Sequence, residues 1–366
     1  MVMWKSRRKL FWLFCGSGRN DIATQNDPQN KKEWMQILPG LLISVIALAV
    51  VFYFVDFRQL INAIQHANYW LIATGFLTTL VWLLVRGMYW RTLLREKARY
   101  RDVFFAINEG YLLNNLLPFR LGELGRAFLL GRKADPEGKP IGFWVVFSSI
   151  LIERALDMAF GVGILVTSLL FVVGGTWALP AAVITGSVVL VGLVVMYILA
   201  RNRDWAIAQL NRYGQRWPIL LKLGGGILPA FLSGLAVLTD GTRFLQAIGW
   251  AALNWAVSLL QYYLMLNAFF PNAELRWALF ALGVAALGVA APSSPGNIGV
   301  LEGVIVAALA VFQLDSASSL AFAITIHLIQ YILSILLGAY GLSREGETLL
   351  GLYRQLRNTK KPTAQV

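Results

Sequence analysis

Cysteine is almost absent from this chain of 366 residues: Cys15 stands alone, so no disulfide can form within it. Histidine is nearly as scarce, with only His66 and His327, so a Cys/His metal cluster is not available and neither a metal nor another cofactor is expected. Charge is thin as well. Only 14% of the residues are charged, against about 25% in soluble domains, which leaves too little polar material to cover a water-facing surface. Signatures of nucleotide-driven and hydrolytic chemistry are also missing. There is no G-x4-G-K-[ST] loop, because Gly138-Lys139 runs into Pro140, and there is no G-x-S-x-G elbow. No polar stretch has the length of a soluble catalytic domain. A faint twin-arginine pattern from Ser6 to Phe11 leads into an apolar run of only Leu10 to Cys15. That is shorter than the ~7–15 residues of a signal-peptide core, and a basic tail is the better reading.

What the chain has is apolar length. It is 57% hydrophobic, and its 13 Trp, 12 Tyr and 21 Phe suit two lipid–water interfaces, where amphipathic rings settle. Stretches near the ~20 residues that span hydrocarbon lie at 36–56, 69–90, 177–200, 245–270 and 320–342. Residues 142–173 form a longer one, interrupted by Glu153, Arg154 and Asp157, and are expected to make one tilted or broken crossing. Residues 226–241 are too short to cross and are expected at the interface. Two further regions, 103–130 and 277–313, are split by Pro and Gly into arms shorter than a span. The expected fold is an all-α integral membrane protein with about six full transmembrane helices plus two oppositely oriented re-entrant hairpins, or 7–8 spans by hydropathy. The organisation is a basic tail (1–35), a membrane domain (36–343) and a second tail (344–366).

Charge orients this scheme. All but four of the 32 Lys and Arg (Arg58, Arg86, Arg154 and Arg276) lie in the tails or in loops that fall on one side. By the positive-inside rule that side is cytoplasmic, and six crossings place both termini there. The net charge of +13 follows membrane orientation rather than a phosphate-reading face, so no nucleic acid is expected as a partner. The 103–130 region then begins and ends in the cytoplasm, and 277–313 begins and ends outside. Their tips, LLPFRLGELGR (116–126) and APSSPGNIGVLEG (291–303), align Pro118-x3-Gly122 with Pro295-x3-Gly299, each followed by an acid, Glu123 or Glu302. The match and the opposed orientation suggest an inverted repeat, as in many transporters. Two ordinary hairpins with Pro/Gly turns are the plainer reading.

Interrupted backbone at membrane depth is tolerated only where protein or a watery cavity surrounds it. A half-helix N-terminus in such a cavity is a natural phosphate site. Charged side chains inside apolar segments are the second pointer, because each costs roughly 2.5–3.5 kcal/mol at a helix centre. The candidates are Arg86, Glu109, Arg120, Glu123, Arg126, Glu153, Arg154, Asp157, Glu302 and His327. Glu153, Arg154 and Asp157 read as an internal salt-bridge set, since 154 and 157 share a helix face. Arg86, near the end of its span, reads as snorkelling to the interface. Arg120, Glu123 and Arg126, at three-residue spacing, put two guanidinium groups and a carboxylate on one face, matched to phosphate. Glu302 has no basic neighbour in sequence and is the leading candidate for a functional acid. His327, with Gln330 nearby, reads as a helix–helix hydrogen bond.

NNLLPFRLGELGRAFLL (114–130), Glu153-Arg154-x2-Asp157 and PSSPGNIGVLEGVIVAAL (292–309), in this order and spacing, resemble the lysylphosphatidylglycerol synthase transmembrane, or flippase-like, family over roughly 36–343. The resemblance implies that Arg120, Gly122, Glu123, Arg126, Glu153, Arg154, Pro295, Gly296, Asn297, Gly299 and Glu302 fall at motif positions. It also implies a membrane domain that moves lipids between leaflets of a cell (inner) membrane. Its partners would be membrane lipids: an anionic or aminoacylated phospholipid, or a lipid-linked sugar, with a homo-oligomer left open. Unlike the full synthases the sequence has no soluble aminoacyl-transferase portion, so lysyl transfer is not expected and no catalytic residue is assigned. Arg120, Arg126, Glu123 and Glu302 are expected to meet the head group. The alternative is a membrane enzyme or accessory subunit of envelope glycolipid synthesis that binds a lipid phosphate.

Overall fold

The computed structural model describes residues 56–117, 121–172, 178–216, 226–290 and 295–347. The expectations for the N-terminal tail, the 36–56 span, Pro118, Arg120 and most of the C-terminal tail lie outside the described residues. Within them the protein is built from helices: α1 Phe57–Gln65, α2 Tyr69–Leu93, α3 Tyr100–Leu116, α4 Gly122–Gly131, α5 Phe143–Leu169 and α6 Ala178–Arg201. These are followed by α7 Arg203–Arg216, α8 Ile227–Gly234 with a 3-10 turn Leu235–Thr239, α9 Gly241–Phe269, α10 Leu275–Ala290, α11 Val300–Ala310 and α12 Ser316–Glu345.

Several of these boundaries are local chemistry. Asp56, Asn68, Asp240 and Asp315 each accept a first-turn backbone N–H, which satisfies donors that a helix start leaves unpaired. Gly346, at φ 71°, ends α12 in the left-handed conformation that glycine adopts without strain.

The outer surface fits lipid as solvent. Leu328, Ile332, Leu336 and Tyr340 recur every fourth residue along α12 and are exposed, while Ile326, Ile329, Leu333 and Gly338 are buried. On α6, Val183, Ile184, Val188, Leu190, Val191 and Val194 are all exposed, far more apolar surface than a water-facing helix carries. By length and composition α2 and α12 can cross a bilayer. The chain from Gly186 to Tyr213 adds a third candidate if its two helices, bent by 85°, count as one broken span.

The structure makes three expectations more definite. Residues 143–169 form one uninterrupted helix, because the charged residues within it are answered by neighbouring helices. The 226–241 segment packs on the helical bundle. Leu232, Leu235 and Val237 are buried, and a Cβ on Gly234 would meet the Val145 carbonyl oxygen at 2.6 Å, so α8 packs directly on α5. Two helices, α1 and α7, arise where only loops were expected.

Both Pro/Gly regions are broken helix pairs that fold back on themselves. In the first, α3 and α4 meet so closely that a Cβ on Gly122 would collide with the Gly110 carbonyl, and Asn114 Oδ1 accepts the Gly122 N–H at 2.7 Å. In the second, Gly288 of α10 packs on Val304 of α11, and the turn between them carries Gly296, Asn297 and Gly299 at φ 68°, 58° and 84°.

Candidate functional site

Helices α2, α3, α5, α9 and α12, together with both breaks, surround one cavity of about 600 Å³. The first break contributes Asn114, Asn115 and Glu123, and the second contributes Gly296 and Asn297. Tyr331 of α12 sits where the breaks meet. Its hydroxyl donates to the Asn115 carbonyl at 2.9 Å, and a Cβ on Gly296 would strike the same hydroxyl.

The charged wall is built from α5. Glu153 and Asp157 are one turn apart and share a face, which is turned toward α2 and α4. Arg86 Nη2 donates to Glu153 Oε1 and to Asp157 Oδ2, each at 2.6 Å, and Arg126 Nη2 donates to Glu153 Oε2 at 2.7 Å. The Arg126 guanidinium also lies over the Trp90 ring, 3.9 Å from its centroid. Arg154, one residue on from Glu153, leaves the helix in another direction and donates to Glu123 Oε1 at 2.9 Å.

These contacts redistribute the expected roles. Arg86 does not snorkel; its side chain is 5% exposed and bridges two carboxylates. No intrahelical pair joins Arg154 to Asp157 among the described residues, because each finds a better partner on another helix. Arg126 was expected to face phosphate, yet its side chain is 2% exposed, behind the cavity wall and held by Glu153 and Trp90. Glu153 is likewise sealed in. Glu302, expected to be an acid without a basic partner, accepts the Gly299 N–H at 2.7 Å and is bonded to His327 Nδ1 at 2.5 Å. Its carboxylate holds the second break in shape, and His327, not Glu302, lines the cavity. Glu109 lies outside the cavity, fully buried where α3 meets α12 at Gly341. Of the sequence candidates, Arg86, Glu123, Arg154, Asp157, Gly296, Asn297, His327 and Gln330 line the cavity.

The opposite wall was not anticipated. Asn254, Ser258 and Gln261 of α9 line the cavity beside Trp255 and Tyr262. Gln261 donates to Thr79 Oγ1 at 2.6 Å, while Asn254 Oδ1 and Trp255 Nε1 are buried without a hydrogen-bond partner. The spacing i, i+4, i+7 puts three polar side chains on one face of an apolar span. That spacing was legible in the sequence.

Comparison with known proteins places this arrangement. The sequence profile of the lysylphosphatidylglycerol synthase TM region matches residues 37–338. The chain is 24% identical over 343 residues to glycosyltransferase AglD of Haloferax volcanii, covering 82% of this chain and 53% of AglD, so it spans about half that protein's length. It is 24% identical over 307 residues to a UPF0104 membrane protein of Methanothermobacter thermautotrophicus, covering 81% of this chain and 90% of the relative. The UPF0104 membrane protein MJ1078 of Methanocaldococcus jannaschii is 25% identical over 229 residues, covering 62% and 91%. No solved structure matches the chain. The profile match runs through both breaks and the charged helix between them, over most of the chain; this is a multi-pass helical membrane protein that belongs to the lysylphosphatidylglycerol synthase transmembrane-region family.

Proposed function

We propose that this protein is a lipid translocase, moving a lipid with a polar, phosphate-bearing head group between leaflets while its acyl chains stay in the bilayer. The observation that carries this reading is the single cavity of about 600 Å³ into which both helix breaks and the charged face of α5 deliver polar groups, inside a shell of outward aliphatic side chains. Unpaired backbone is costly in hydrocarbon, so two breaks converging on one polar space are best explained by a ligand that needs that space. In this reading the two broken pairs enter the bilayer from opposite faces as re-entrant hairpins, between about six full crossings, with both termini in the cytoplasm. Rocking of one pair against the other, about the Tyr331 contact, gives alternating access. Arg154 offers a guanidinium group for a phosphate, and the α9 amides offer hydrogen bonds to the rest of the head group.

A second reading, an enzyme or accessory subunit of glycolipid assembly, is favoured by the name of one relative, glycosyltransferase AglD. One experiment separates them. Purified protein in liposomes is assayed for leaflet exchange of acyl-labelled phospholipids by dithionite quenching. The expected result is quenching that proceeds past the outer-leaflet half, at a rate that rises with protein content. Quenching that stops at half for every lipid tried, together with sugar transfer to a lipid phosphate, would replace translocation with the second reading.

A further inference from the structure

Among the described residues the charged groups of the cavity's first wall come in pairs. This α2–α4–α5 cluster holds three arginines, Arg86, Arg126 and Arg154, against three carboxylates, Glu123, Glu153 and Asp157. On the second break, Glu302 is hydrogen-bonded to His327 and to the Gly299 N–H at the start of α11, and it stands apart from this cluster. The pairs are not equivalent in access. Arg126 and Glu153, 2% and 0% exposed, lie behind the cavity wall. Arg86 and Asp157 line it but are 5% and 14% exposed, whereas Arg154 and Glu123, which also line it, are 38% and 23% exposed. Arg154 and Glu123 therefore form the ion pair that a ligand can reach and open.

Opening that pair exposes one cation and one anion together. A head group bearing only a phosphate would satisfy Arg154 and strand Glu123; one bearing only surplus amines would do the reverse. Each leaves a net charge in a space walled by apolar protein and lipid, which is strongly unfavourable. A phosphate with an ammonium satisfies both and keeps the sum at zero. Two further atoms fit this division. Arg154 Nε is a buried donor without a hydrogen-bond partner, and Asp157 Oδ1 is a buried acceptor without one. Both are covered while the pair is closed, so a phosphate oxygen and an ammonium gain this donor and this acceptor only as Arg154 and Glu123 part.

We propose that the cavity selects lipids whose head group carries no net charge, a zwitterion whose phosphate takes Arg154 and whose ammonium takes Glu123, the two residues exchanging their mutual bond for the head group. The inference rests on the translocase reading and names its substrate class. The test uses the full chain in vesicles of phosphatidylethanolamine and phosphatidylglycerol. Trace acyl-labelled probes carry head groups of net charge 0 (phosphatidylethanolamine), −1 (phosphatidylglycerol) and +1 (lysyl-phosphatidylglycerol).

The wild-type chain is expected to exchange the neutral probe about tenfold or more faster than either charged one. Glu123→Gln, which leaves the site one charge positive, is expected to move the preference to the anionic probe. Arg154→Gln is expected to move it to the cationic probe. The exchanged pair Glu123→Arg with Arg154→Glu, which keeps the balance, is expected to retain the neutral preference. Equal wild-type rates for neutral and anionic probes would overturn the inference, as would single variants that slow all three alike. Native mass spectrometry of lipid retained by the purified protein supplies an independent readout. Selective retention of the neutral lipid without exchange removes the translocase reading and keeps the site. Exchange without head-group selectivity keeps the translocase reading and removes the site.

Discussion

The two helix breaks carry the same short pattern of proline, glycine and acid, yet their acids do opposite work. At the second break Glu302 is the third residue of α11, counted from Val300, and its carboxylate folds back onto the Gly299 N–H at 2.7 Å. That is the position from which an acid reaches the start of its own helix. At the first break Glu123 is the second residue of α4, too early for that return, and it is Asn114 of α3 that accepts the Gly122 N–H at 2.7 Å. Its carboxylate turns outward to Arg154 on α5. A shift of one position thus separates an acid that holds backbone from one that lines the cavity. Resemblance between repeats in sequence does not carry over to role, because role follows the direction in which the side chain leaves its helix.

Three substitutions, with a fourth as control, sharpen or break this contrast. The largest effect is expected at Glu302. Glu302→Ala removes a helix cap and a charge-assisted bond to His327, together about 2–4 kcal/mol of stability. Thermal unfolding in detergent would show it, and an unchanged midpoint would end the structural assignment of this acid. Next comes the close approach that shapes the first break. Gly122→Ala places a methyl group against the Gly110 carbonyl and the Asn114 side chain, at about 1–3 kcal/mol for overpacking. Gly249→Ala, where a Cβ meets nothing within 4 Å, is the control and should not destabilise. The smallest effect on stability is expected at Glu123. Glu123→Ala opens a partly exposed pair whose arginine stays hydrated while the cavity holds no lipid, for under about 1 kcal/mol, while leaflet exchange, in which the head group displaces that water, changes sharply. A loss of stability at Glu123 as large as that at Glu302 would erase the distinction between them.

Much of the architecture could be read along the chain. The ends of α2, α9 and α12 fall near the edges of the apolar stretches, and Asn68, Asp240 and Asp315 mark their starts. These features are local: hydropathy and capping act within a few residues. The break at 295–299 was equally visible, since glycine at 296 and 299 supplies the positive φ that other residues resist. Arg86 was misread because its partners, Glu153 and Asp157, lie 67 and 71 residues away, and nothing near Arg86 announces them. Glu302 was misread for the same reason, its histidine being 25 residues on. The polar stripe of Asn254, Ser258 and Gln261 had a readable spacing and was passed over, because uncharged amides stand out less than charges in an apolar span.

Composition and hydropathy were enough to say that this chain lives in lipid as a bundle of helices, since transfer of apolar length into a bilayer depends on what each segment contains and hardly on its neighbours. Which of its buried charges are structural and which stand open to a ligand was decided by packing. Arg126 and Arg154 are both arginines set in apolar sequence. One is closed in by Trp90 and Glu153, and the other reaches the cavity. The difference arises from which helices meet and at what angle, and accessibility to a ligand is a property of that assembly rather than of either residue.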